Sequence, residues 1–204
     1  MNDHSIVDCT NLISAFLLRL QMKSPFFGTL AMFGLFIPTT TISSAATDGR
    51  DIFFNPEFLM SLPSPQQDGV LLHEILHAAL LHPLRLRERE PQLWNIAADI
   101  VVNGMILRQR GSELPPGGLR NKQLEHLSVE EVYELLRATG ADRSQLADLD
   151  LLAMNGDLAK CSIVGTCVPA RNRSQALTAY WRQALQQATA IVTTQSGKLP
   201  IGID

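Results

Sequence analysis

The chain has 204 residues, of which 46% are hydrophobic and 18% charged, an ordinary composition for a soluble protein and enough length for one substantial core. A net charge of −3, a pI near 5.9 and the absence of any Lys/Arg-rich run give no basic field for a phosphate backbone, so nucleic acid is excluded as the expected partner. The acidic N-terminal stretch is unlike a secretory signal, and three widely placed cysteines, Cys9, Cys161 and Cys167, make no disulfide framework; both point to a reducing, cytoplasmic setting.

In chain order, Thr10 or Asn11 caps a first helix over Leu12–Lys23, where Leu12, Phe16 and Leu20 recur at helical spacing. Pro25 breaks it. The most apolar window, Pro25–Pro38, is too short to span a bilayer, so no membrane association is expected and the segment belongs to the core. Within it Phe26–Phe36 fits either a helix or a buried strand, with helix preferred. Small and β-branched residues from Thr39, the Asp48-Gly49 pair and the run Arg50–Asn55 make a hairpin signal. The hairpin lies just ahead of the most informative helix, where it either offers an edge for an extended peptide or only packs that helix. Asn55-Pro56 turns into a short helix, and Ser64-Pro65 opens the next one.

That next helix contains Leu71–His82, with a complete His-Glu-x-x-His pattern at His73, Glu74 and His77. Residues four apart leave one face of a helix about one turn apart, so His73 and His77 can grip one metal ion. Glu74 is displaced by roughly 100° around the helix, a position suited to a general base acting on water at the metal. Leu71, Leu72, Ile75, Leu76, Leu80 and Leu81 cover the other faces. Pro83 ends or kinks the helix. His82 stands about 140° from His77 on a continuing helix and is one position too early for the third histidine of the extended pattern, with Leu80 where that pattern needs glycine. It reads as solvated or helix-capping, with metal ligation the alternative.

After the charged connector Arg85–Glu90, the stretch Trp94–Asn103 repeats Asn95, Asp99 and Asn103 every four residues, a polar stripe on an otherwise apolar helix. A buried aspartate is costly unless paired or metal-bound. Asp99 is therefore the expected third ligand, completing a catalytic zinc set of three protein ligands and a water; its alternative is to orient a histidine from behind. Leu114–Leu119 is a rigid turn or loop. Ser128 and Glu131 form a capping box for a helix over Val129–Arg137, with Val132, Leu135 and Leu136 facing inward. His126 and Tyr133 are available to stabilise an oxyanion but fit packing roles better. Residues 141–170 read as a loop or insertion in which Cys161 and Cys167 are free thiols. A final helix spans Ser174–Ser196 and is stopped by Gly197.

These residues together resemble a known family: the metallopeptidase domain found N-terminal to a von Willebrand factor A-like domain in bacterial proteins, often encoded near MoxR-type AAA ATPases. The resemblance runs in order through Pro25–Gly28, Ala46–Arg50, Asn55–Phe58, Leu72–His77, His82–Arg85, Trp94–Asp99 with Asn103, Glu131–Tyr133, and Trp181 to Gly197–Pro200. It implies a zincin-like α+β fold, a peptidase activity, and an AAA ATPase or von Willebrand factor A-like protein as a partner. The expected architecture is a single domain over 1–204, mainly helical, with a small hairpin or sheet beside the His-Glu-x-x-His helix. The expected activity is zinc-dependent hydrolysis of protein or peptide substrates, with Zn2+ on His73, His77 and Asp99 and with Glu74 as base. The competing reading is a non-catalytic, zinc-stabilised binding module that works with such a partner.

Overall fold

The computed structural model describes residues 3–139 and 170–195. The sequence expectation for 141–170, including Cys161 and Cys167, falls outside the described residues apart from Ala170, which is helical. The architecture is α+β: a mainly helical body carrying one three-stranded sheet. No helix among the described residues is long and apolar enough to cross a membrane.

Helix α1 spans Asp3–Lys23, so it runs through Thr10 and Asn11, where the sequence suggested a cap. Its Phe16 and Leu20 are fully buried, as the helical spacing requires. Ser24 precedes a proline and is therefore extended (φ −150°, ψ 98°), which ends α1 and lets Pro25 open α2, Pro25–Ala31. Within Phe26–Phe36 the expected helix covers only the first part, to Ala31. Gly34 follows α2, and strand β1 then occupies Leu35–Pro38.

Strands β2, Ala45–Thr47, and β3, Asp51–Phe54, form the expected hairpin, with Gly49 at φ +93° in a turn that favours glycine. Asp48 Oδ1 accepts from the Arg50 and Asp51 amides and closes that turn. β1 pairs parallel to β3 on its other side, in register from Leu35 opposite Asp51 to Pro38 opposite Phe54. The strand order β1-β3-β2 leaves β2 on an edge.

Asn55 caps α3, Pro56–Ser61, by accepting from the Glu57 and Phe58 amides. Helix α4, Ser64–Ala79, carries the His-Glu-x-x-His pattern and is buried along nearly its whole second half. It ends at Leu80, and Leu81 adopts a left-handed conformation (φ 59°) before the short helix α5, His82–Arg85. Helix α6 spans Pro91–Leu107 and packs against α4. The expected capping box opens α7, Val129–Thr139: Ser128 N donates to Glu131 Oε2 at 2.8 Å, and Glu131 N donates to Ser128 Oγ at 3.3 Å. Val129, Val132 and Tyr133 form its inward face, whereas Leu135 is exposed, contrary to expectation.

The last helix, α8, spans Ala170–Gln195 and holds the hairpin turn. Trp181 Nε1 donates to the Gly49 carbonyl at 2.7 Å, Arg173 pairs with Asp48 at 2.6 Å, and the Arg50 guanidinium stacks over Tyr180. The N-terminal part of α4 is fixed by charge and by close packing. Asp68, fully buried, accepts from Arg19 Nε and Lys23 Nζ of α1, each at 3.0 Å. Lys23 also donates to the Gly111 carbonyl at 2.8 Å, so one cation joins α1, α4 and the segment after α6.

Gly69 lies so close to that segment that a Cβ there would run into the Glu113 carbonyl oxygen, while Glu113 N donates to Pro65 O at 3.0 Å. Backbone cannot yield as a flexible side chain can. Gly69→Ala is expected to lower unfolding stability by about 1–3 kcal/mol in urea denaturation, the usual range for overpacking. A variant within about 0.5 kcal/mol of wild type, the range of an ordinary surface substitution, would contradict this packing.

Candidate metal centre

The helical spacing of His73 and His77 brings their rings side by side, with centroids 4.4 Å apart. Asp99, from the middle of α6, faces both. Its Oδ1 lies 3.6 Å from His73 Nε2 and 3.3 Å from His77 Nε2. One ligand atom from each of the three residues falls within 4.8 Å of the others, the one such group of potential metal ligands among the described residues. All three residues are buried, and Glu74 beside them is 2% exposed.

These distances suit a shared ion. Ligands about 2.0–2.2 Å from a tetrahedral zinc stand roughly 3.3–3.6 Å apart. His77 Nε2 and Asp99 Oδ1 have no hydrogen-bond partner despite their burial, because the 3.3 Å approach lacks hydrogen-bond geometry. Two buried polar atoms facing one space without a bond between them are costly, and a cation there would satisfy both.

The rest of the polar stripe is explained by the same residues. Asn103 Nδ2 donates to the Leu119 carbonyl at 2.8 Å, which turns its Oδ1 towards His73 Nδ1 at 2.9 Å. A carbonyl can only accept, so His73 carries a proton on Nδ1, which in the neutral ring leaves Nε2 as a lone pair. Asn95 Nδ2 donates to Asp99 Oδ2 at 3.1 Å, so the carboxylate is held by one oxygen while the other faces the histidines.

A cavity of about 260 Å³ opens on this cluster. His73, Glu74, Asp99 and Asn103 form its polar floor, Ser44 and Ala45 one wall, and the Leu114–Leu119 loop another. Phe58 and Val70 add apolar surface. The position of β2 beside α4 agrees with the sequence expectation of a hairpin at the site.

Two features, His82 and the Leu114–Leu119 loop, differ from expectation or were missed. His82 is neither solvated nor merely a cap: it is fully buried, and its Nδ1 lies 3.2 Å from His77 Nδ1. A continuing helix would carry His82 about 140° away from His77, whereas the left-handed Leu81 turns His82 back against α4. The Leu114–Leu119 loop, legible only as a rigid turn, is a wall of the cavity. Neither His126 nor Tyr133 lines it; His126 is exposed, and the Tyr133 hydroxyl accepts from Glu90 N at 3.1 Å.

Burial, reinforced by the nearby His73, pushes the His77 pKa down to about 4. Burial also lowers His82 well below the ordinary histidine range, with His77, Arg85 and His73 adding to the effect. For Asp99, burial works in the raising direction, but the two imidazoles facing the carboxylate outweigh it and hold the pKa at about 2. Neutral imidazoles and an ionised carboxylate are the forms that bind a metal.

Two buried histidines of α4 and one ionised aspartate of α6 thus form a candidate metal-ligand set on an α+β scaffold. The chain belongs to the family whose description reads "Putative metallopeptidase domain", the model of which matches residues 11–200. An uncharacterized protein of Thermotoga maritima is 26% identical over 98 residues, covering 44% of this chain and 24% of that relative. The match thus spans about a quarter of the relative's length. No solved structure matches the chain.

The titrations have a fixed sign. In the unfolded chain histidine binds its proton near pH 6.5, so below that pH the unfolded state holds more protons than the native one and stability falls on acidification. For His77, with its folded pKa near 4, the loss between pH 8 and pH 5 is about 2 kcal/mol, and His82 acts in the same direction. Asp99 adds a further loss only as the pH falls from the ordinary carboxylate range towards 2. Urea unfolding of the metal-free protein should reproduce this decline; equal stability at pH 8 and pH 5 would show that the histidines are not buried neutral.

Proposed function

We propose that this protein is a zinc-dependent peptidase, with His73, His77 and Asp99 as the metal ligands and Glu74 as the general base. The observation that carries the reading is the pair His77 Nε2 and Asp99 Oδ1, buried, 3.3 Å apart and without a hydrogen bond. Asp99 serves as a ligand and not as an orienting group because it faces the Nε2 edge of both rings, while Asn103 and His82 take the Nδ1 edges. Three protein ligands leave an open position, as a catalytic zinc site requires, whereas structural sites close with four. His and carboxylate donors suit zinc.

When bound, zinc supplies a Lewis acid that polarises the scissile carbonyl and acidifies the attacking water. Glu74, displaced by roughly 100° from His73 around α4 and lining the same cavity, takes the proton of that water and delivers it to the leaving amine. Asn103 fixes the tautomer of His73, and Asn95 holds the Asp99 carboxylate in its facing orientation. Substrate enters along β2, whose edge position and place at the cavity wall, through Ala45 and the preceding Ser44, favour an extended peptide added to the sheet.

Two substitutions test the assignment. Glu74→Gln should retain zinc but lose about 10²–10⁴-fold in hydrolysis of a peptide library, the usual contribution of a positioned base. Undiminished cleavage would remove Glu74 from the mechanism. Asp99→Ala should sharply weaken zinc binding in a competition assay, and wild-type affinity in that variant would place Asp99 outside the ligand set.

A further inference from the structure

The metal reading gives each histidine ligand one task and one requirement. To present Nε2 as a lone pair, a neutral imidazole must carry its proton on Nδ1, and a buried Nδ1–H needs an acceptor. For His73 that acceptor is the Asn103 side chain. For His77 the group at hydrogen-bond distance of Nδ1 is another imidazole, His82, 3.2 Å away. The two rings meet edge-on, with centroids 4.9 Å apart and planes at 81°.

Two arrangements of the shared proton exist. If His82 Nδ1 carried it, His77 would be left with its own proton on Nε2, pointing at Asp99 Oδ1 and unable to bind a metal. If His77 Nδ1 carries it, Nε2 is free to ligate, and His82 must keep its proton on Nε2. That atom is buried and has no hydrogen-bond partner among the described residues. The second arrangement therefore leaves one buried donor unsatisfied, a cost of a kind that folded proteins keep mainly at functional sites.

The backbone around His82 is strained to place it. Leu81 sits in the left-handed region at φ 59°, which is unfavourable for a residue with a Cβ and is where a helix end ordinarily uses glycine. Trp94 Nε1 donates to the His82 carbonyl at 3.0 Å, fixing the residue from α6. A left-handed neighbour, a hydrogen bond to its backbone carbonyl and an unpaired ring nitrogen meet at one residue, whose side-chain polar contact is to a candidate ligand.

We propose that His82 is a positioning residue whose Nδ1 accepts a hydrogen bond from His77 Nδ1–H and thereby sets the tautomer in which His77 can bind the metal. The inference rests on the metal reading given above. It assigns His82 no contact with metal or substrate.

The test is zinc affinity, measured by competition with a chromophoric chelator, for wild type, His82→Leu and His82→Asn. Asparagine places its side-chain oxygen about where the histidine Nδ1 stands and can accept the hydrogen bond, whereas leucine fills the space but cannot. His82→Leu should bind zinc about 10–100-fold more weakly, the usual cost of losing a group that supports a ligand, and His82→Asn should recover most of that loss. A packing role would rank the variants the other way, since leucine suits an apolar site better than asparagine. Thermal unfolding of the metal-free variants separates loss of zinc from loss of fold.

Nitrogen-15 NMR of the zinc-loaded wild type provides a reading that needs no variant. It should find His77 protonated on Nδ1 and His82 on Nε2; the proton on His82 Nδ1 would overturn the proposal. So would wild-type zinc affinity in His82→Leu. A wild-type protein that binds no zinc would overturn the metal reading as well, so the two failures are distinguishable.

Discussion

The structure depends on how polar groups are accommodated between two apolar helices. α4 and α6 bring two imidazoles, two carboxylates and two amides into a region where an unpaired polar atom costs several times what a hydrogen bond contributes. Most of the demand is met within the cluster: Asn103 bridges His73 and the Leu119 carbonyl, Asn95 holds one oxygen of Asp99, and His82 meets His77. Besides Asn95 Oδ1 and His82 Nε2, what is left without a hydrogen bond is the pair His77 Nε2 and Asp99 Oδ1, 3.3 Å apart. A metal ion is the simplest group that satisfies both, and the proposed chemistry follows from that residual demand.

The elements farther out keep this cluster in place. Arg19 and Lys23 of α1 pair with Asp68, where α4 becomes continuously buried. The same lysine reaches Gly111, and Gly69 lets the segment around Glu113 lie directly on α4, so the chain leaving α6 is guided to the cavity wall at Leu114–Leu119. On the other side α8 grips the hairpin turn through Trp181, Arg173 and Tyr180, which steadies β2 at the cavity mouth. The two walls are anchored independently and meet over one polar floor.

Much of this was legible in the sequence because it is periodic or local. The four-residue spacings of His73 with His77, and of Asn95, Asp99 and Asn103, identified the two helices and the faces that meet, since helical period converts directly into shared direction. The capping box at Ser128, the Asp48-Gly49 turn and the Asn55 cap are short-range chemistry and were equally readable. β1 was hidden in an apolar run that suits helix and strand alike; its pairing with β3 is a tertiary choice. His82 was misjudged for a specific reason: Leu81 in the left-handed region breaks the helical register that the angle was measured on, and no glycine marks the break. The Leu114–Leu119 wall lies far from the metal residues in sequence, and only the Asn103–Leu119 bond and the Gly69 contact reveal why it sits there.

The most direct test of the central claim is the position of the ion itself. In crystals of the protein grown with zinc, anomalous scattering at the zinc edge should give one fully occupied peak, about 2.0–2.1 Å from Nε2 of His73 and of His77 and about 2.0–2.2 Å from Asp99 Oδ1, with His82 outside the coordination sphere. A peak elsewhere, or one with His82 in place of Asp99, would contradict the account.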